Sequence, residues 1–142
     1  MAKRLSYKGS LDGSGPIYKE INVNNTQTIK KGYVLQLATN KASLAVDAQA
    51  AGTVLGPAAG AITTTTATAA DKIKYDANTN SIYSMPYIGA ATPAIGNKYD
   101  LGAAADEFDA DDTTGGWIQV IGNVDTVNKR ADVILTNRVF GA

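Results

Sequence analysis

Neither cysteine nor histidine occurs anywhere in the 142 residues. Without thiols there is no disulfide to staple the fold, no thiolate to hold a metal and no cysteine nucleophile. Without imidazole the commonest general base, the usual zinc ligand and every Ser-His or Cys-His nucleophile pair are missing as well. Most familiar enzyme chemistries need one of the two, so the expectation is a protein that is not an enzyme, with no cofactor and no metal. Long apolar runs are also lacking. Met1-Ala2-Lys3-Arg4 gives way to polar chain with no stretch suited to a signal peptide or a membrane span, so the protein is expected to stay in the cytoplasm in which it is made and to have no membrane partner.

A chain of this length buries roughly 70% of the surface its unfolded form exposes, enough for one core without staples. The formal charge is zero but unevenly placed. Lys3, Arg4, Lys8, Lys19, Lys30, Lys31 and Lys41 face only Asp12 and Glu20 in the first forty-one residues, a net of +5, and the segment from Asp71 onward carries a net of −4. The lysines are scattered and lack the interleaved aromatics of a stacking platform, which favours a solvated basic arm over direct binding of nucleic acid.

Apolar residues recur with a period of two in short runs broken by Gly, Asn, Asp and Pro, the pattern of half-buried strands. In the run from Ile17 to Val23, Lys19, Ile21 and Val23 share one face. Tyr33, Leu35 and Leu37 share another, and Thr39-Asn40-Lys41 predicts a turn into a strand over Ser43 to Val46. The Ala-, Gly- and Thr-rich stretch from Ala48 to Ala70 predicts one or two thin strands. Lys72 to Tyr75 and Ser81 to Met85 flank Asp76-Ala77-Asn78-Thr79-Asn80 and predict a hairpin. A short strand is expected over Lys98 to Leu101. Trp117 to Val124 is the strongest strand, with Asp132 to Val139 returning as its partner after a polar turn. The fold class is therefore all-β, a single-domain barrel or sandwich of short antiparallel strands over residues 16–142, preceded by a flexible Gly-containing arm over residues 1–15.

The acidic cluster Asp106, Glu107, Asp109, Asp111 and Asp112 is the most chemical-looking feature. Aligned as an EF-hand from Asp109, it places Thr114 where the turn glycine belongs and Val120 where the bidentate Glu belongs, so the calcium motif fails. Asp76, Asn78 and Asn80 fail in the same way. Solvated turns are the reading for both. The chain has only Glu20 and Glu107 as glutamates, neither in a run that buries it, which disfavours carboxylate-pair hydrolysis. Trp117 and the seven tyrosines lie mostly in strand patterns and are expected to pack in the core or at a subunit interface rather than to form a glycan platform.

The order of features resembles the decoration, or cement, proteins of tailed-phage capsids. The resemblance is carried by the polar N-terminal arm, Lys31-Gly32-Tyr33-Val34-Leu35-Gln36-Leu37, Gly52-Thr53-Val54-Leu55-Gly56, the Tyr75 to Ile82 segment and the late Val133-Ile134-Leu135 strand. It implies a β-rich structural virion protein, often trimeric, that binds the outer face of the mature capsid lattice and stabilises it, after synthesis in the host cytoplasm. Under that reading Lys3, Arg4, Leu5, Tyr7, Lys8 and Leu11 are the expected contacts with the major capsid protein, the arm ordering as an added strand on its partner. The alternative is a carbohydrate-binding or fibre module, which predicts exposed aromatic rings.

Overall fold

The structure is a computed structural model that describes residues 5–46 and 53–139. Its described strands, in chain order, are β1 (Ser6–Ser10), β2 (Tyr18–Asn22), β3 (Thr28–Ile29), β4 (Val34–Ala38), β5 (Lys41–Leu44), β6 (Val54–Pro57), β7 (Ile62–Thr63), β8 (Lys72–Asp76), β9 (Ser81–Ile88), β10 (Lys98–Leu101), β11 (Phe108–Asp109), β12 (Ile118–Asp125) and β13 (Arg130–Leu135). No helix occurs among the described residues. Strands β9, β11, β10, β12 and β13 follow one another, and β13 pairs back onto β9, closing a five-stranded barrel. Closure removes the free edges of these strands except along the first half of β9. The period-two pattern explains the interior: Ser81, Tyr83, Met85 and Tyr87 of β9 point inward and are buried, while the residues between them are not.

Beside the barrel lies a second group of small sheets, β5-β4-β6, β2-β8 and β3-β7. It has its own core, which includes Val23, Ile29, Leu35, Leu55, Ile73 and Tyr75. Trp117, Phe108, Met85 and Val133 sit in the barrel core. Strand β4 belongs to both. Successive residues of a strand face opposite ways, so Val34 enters the barrel core while Leu35 enters the other, and both are fully buried. Val54 and Leu55 of β6 divide in the same manner.

The expected turn joins β4 to β5, but with Thr39 and Asn40 alone in the loop and Lys41 already opening a strand that runs to Leu44 rather than from Ser43 to Val46; φ is 50° and 63° at the two loop residues, the left-handed pair that a two-residue hairpin loop requires. The strong β12–β13 pair is also present, Ile118 opposite Leu135 and Val120 opposite Val133.

Two expectations need correction. The predicted hairpin across residues 76–80 does not form: β8 pairs with β2, whereas β9 pairs with β1, β13 and β11. The loop is a corner between sheets, held by the buried Asp76 carboxylate that anchors both flanks. The arm differs too. From residue 5 it is built into the body, with Leu5 in the barrel core and β1 paired to β9, because that half of the β9 edge has no barrel strand to cover it. Lys3 and Arg4 lie outside the described residues.

Candidate functional site

The site grows out of the N-terminal segment. Leu5, only 7% exposed, fixes the start of β1 in the barrel core. The strand then runs antiparallel to β9, Ser6 opposite Ser84 and Tyr7 opposite Tyr83, until a bulge between Tyr7 and Gly9 pushes Lys8 out of register. Lys8 turns its ammonium onto the Asp132 carboxylate at 3.2 Å, an ion pair that also receives Asn123 Nδ2 at 2.6 Å. Of the expected contact residues, Leu5 and Lys8 thus hold the segment to the barrel, while Tyr7 and Leu11 are exposed.

After β1 the chain turns back through an Asp12 loop. Asp12 Oδ1 accepts the Ser14 amide at 3.1 Å and its hydroxyl at 2.6 Å, and Oδ2 accepts Asn80 Nδ2 at 3.0 Å. The bonds from Ser14, its side chain first and then its amide, hold the Asp12 carboxyl below its usual value. Asn78 Nδ2 adds bonds to Ser14 Oγ at 2.8 Å and Gly15 O at 2.9 Å. The loop is therefore pinned to the 76–80 corner.

Beneath it lies Asp76, 4% exposed. Its Oδ1 accepts the amides of Ile17 at 3.0 Å and Asn78 at 2.9 Å, and its Oδ2 accepts the hydroxyls of Ser81, at 2.6 Å, and of Tyr83. Arg138 Nη2 donates to the backbone carbonyls of Asp76, at 2.7 Å, and Leu55, at 2.8 Å. Burial above all, then the bond to Asp76 and its charge, pushes the Tyr83 hydroxyl far up, so it stays a donor. Gly56 makes this junction possible. A Cβ there would lie 2.0 Å from the Asp76 carbonyl oxygen. With both carboxylate oxygens used by donors, Asp76 ties elements together and presents no lone pair for acid–base work.

Above this junction is a groove of about 340 Å³. One wall is the start of β1, Leu5 to Tyr7; the other is Pro16, Tyr18, Lys31-Gly32 and Pro57 to Ala59, with the buried Asp76 and Tyr83 below. The Tyr7 ring packs edge-on against the buried Tyr83 ring, 5.9 Å between centroids, which fixes its orientation although it is 41% exposed. Tyr18 also lines the groove and is 58% exposed. Gly32 keeps the wall close to β1, since a Cβ there would come within 3.1 Å of the Leu5 carbonyl.

Four of the eight exposed large apolar residues among the described residues, Tyr7, Leu11, Ile17 and Tyr18, fall within this one segment. Ile17 and Tyr18, missed in the sequence, sit in a stretch where alternation predicted one covered face, yet Ile17, Tyr18, Lys19 and Glu20 are all exposed. The second walls, Lys31-Gly32 and Pro57 to Ala59, come from remote chain and had no local signal.

The acidic loop uses its carboxylates on backbone amides, its own and those of residues 90 and 91. Asp111 accepts the amides of Ala90 at 3.0 Å and Ala91 at 2.9 Å, which lowers its pKa, and Asp109 and Asp112 cap the amides of Asp111 and Thr114. No group of three or more acidic side chains is arranged to hold a metal among the described residues. Trp117 is fully buried and cannot stack on a glycan.

No protein-family model matches the chain, and no curated protein or solved structure matches it either.

Proposed function

We propose that this is a structural, non-enzymatic virion protein that binds the outer surface of a mature tailed-phage capsid and stabilises it, docking through the N-terminal face. The observation that carries the reading is the exposure of Tyr7, Leu11, Ile17 and Tyr18 along one ordered segment, with Tyr7 and Tyr18 lining one groove. Large apolar side chains gathered on one surface mark a contact surface, and aromatic residues are the usual anchors of one. Its rigidity supports the same role. A pinned loop and a paired strand lose little conformational freedom on docking, so more of the contact energy appears as affinity.

The partner in this reading is the major capsid protein lattice. Self-association is part of this reading, with a trimer as the expected form. Light scattering at micromolar concentration should return three times the 14.7 kDa chain mass; a single-chain mass would retire the trimer in solution.

The functional test is co-sedimentation with empty expanded capsids of the source phage over a salt series, with an unrelated capsid as control. Saturable binding to the cognate capsid alone, weakened by Tyr18→Ser, supports the reading. Equal or absent binding to both capsids overturns it. The two exposed tyrosines also favour a second reading as a carbohydrate-binding module, since flat rings stack on pyranoses. Most of the remaining lining argues the other way: Pro16, Pro57, Ala58 and Ala59 offer no side-chain hydrogen bonds to sugar hydroxyls, which leaves Ser6 and Lys31 for that role. A glycan array separates the two.

A further inference from the structure

The free edge of β1 carries an inference that rests on the docking role above and names the chemistry of what docks. We propose that this edge accepts an extended acidic segment of the partner protein as an added strand, with one apolar side chain of that segment seated between Tyr7 and Tyr18.

Among the described residues β1 has a strand neighbour on one side only, β9. Such an edge offers main-chain donors and acceptors to a further strand. The bulge after Tyr7 limits how far that pairing can run. A short ladder is weak by itself, so binding needs a side-chain anchor beside it. The groove supplies one, flush with the usable part of the edge and lined by Leu5, Ser6 and Tyr7 on that side. Its volume of about 340 Å³ lies at the small end of the pockets that hold ligands, a scale that suits side chains rather than a large molecule. The Tyr7 ring is already oriented by Tyr83, and a tyrosine anchor costs little entropy to fix.

Charge decides the partner's character. Two charged residues line the groove, Lys31 and Asp76, and the Asp76 carboxylate is buried and committed to four donors. The rim therefore presents Lys31, within a segment whose first forty-one residues carry a net of +5. A second copy of this chain is a poor occupant, because pairing β1 with itself brings two such basic segments together. An acidic strand is complementary.

The test uses synthetic peptides and needs no capsid. An end-capped heptapeptide alternating glutamate and valine around a central phenylalanine is titrated into labelled full-length protein and followed by amide NMR shifts. Two controls accompany it: the same peptide N-methylated at every residue, and a version with lysine for each glutamate. The expected result is saturable shifts at Ser6, Tyr7, Tyr18, Lys31 and Ala58, none with the methylated peptide, and binding of the lysine version weaker by about tenfold or more. Lys31→Glu should reverse the charge preference, and Tyr18→Ser, a change at an exposed position, should weaken binding while leaving the spectrum of the fold unchanged. Equal binding of the methylated peptide, indifference to charge, shifts confined to other residues, or no binding at millimolar peptide each overturns the proposal. So does a β1-dependent dimer in sedimentation. Peptide binding with no capsid co-sedimentation would retire the capsid and keep the acceptor edge; the reverse pair of results would retire the acceptor edge and keep the capsid.

Discussion

A buried carboxylate persists in a folded protein only where donors replace the water it has lost, and Asp76 has four of them. Replacing it removes the acceptor but leaves the donors in place, two of them backbone amides that cannot move away. Asp76→Ala should therefore cost about 3 kcal/mol or more, read from urea denaturation, with Asp76→Asn falling between it and the parent. A loss below about 1 kcal/mol would mean that water reaches the orphaned donors. The turn-capping habit of Asp76-Ala77-Asn78 was legible in the sequence, because Asp and Asn commonly bond the amide two residues on. Its burial was not, since three of the donors, the Ile17 amide and the Ser81 and Tyr83 hydroxyls of β9, come from beyond β8 and its turn. Trp117 was legible as a core residue because its strand is apolar almost throughout; Tyr7 and Tyr18 were not distinguishable from core tyrosines, since exposure depends on which sheet face the fold leaves uncovered.

At the level of elements, β1 is the instructive case. Its sequence, Ser-Tyr-Lys-Gly-Ser, has little β propensity and no alternating apolar face, so it was expected to be mobile. It is ordered by neighbours it does not encode: the exposed half of β9 and the pocket that takes Leu5. Removing residues 1–15 would therefore damage the body of the protein as well as its contact surface. Leu5→Ala should cost about 2–5 kcal/mol as a core truncation. Leu11→Ala, at a residue 57% exposed, should stay within about 0.5 kcal/mol in the same thermal or urea assay. Equal effects would show that Leu5 is not seated in the core. The Asp12 loop adds a pH dependence. Its carboxyl is lowered from 3.8 by hydrogen bonds that the folded loop holds in place, chiefly those from Ser14, so the stability they add is complete above the unfolded value and is lost as pH falls through the lower folded one. Carboxyl NMR titration should place the Asp12 midpoint below that of a model aspartate, with the Ser14 amide shifting in parallel; an unshifted midpoint would remove the loop's claim to rigidity. Local pattern sufficed for the β4–β5 hairpin, where Thr39 and Asn40 specify the loop themselves. It misled at residues 76–80, where the same residue types serve a corner whose partners lie far along the chain.

On the scale of the whole molecule, alternation along β4 and β6 joins two cores that composition alone suggested as one. Val34 and Val54 point into the barrel, Leu35 and Leu55 into the smaller sheets, so neither core can lose these strands without exposing apolar surface of the other. The sequence showed that β4 was apolar on both faces but not that each face had a separate core to fill. The consequence is one cooperative transition, the usual behaviour of a domain of this size. Trp117 fluorescence reports the barrel, and amide exchange at Val23, Ile29 and Ile73 reports the smaller core. Val34→Ala and Leu35→Ala, each removing buried methyl groups, should lower stability by about 2 kcal/mol and shift both signals together. A smaller core that melts first, or a Leu35→Ala effect confined to the exchange signal, would show two weakly coupled halves. The distinction matters for docking, because the groove is built across the seam: Leu5, Tyr7 and Tyr83 come from the barrel side, Tyr18 and Pro57 to Ala59 from the other. If the halves unfold as one, the spacing between Tyr7 and Tyr18 is a property of the native state as a whole, and Leu35→Ala, at a residue outside the groove lining, should leave docking affinity unchanged at temperatures well below the transition while lowering the temperature at which docking is lost.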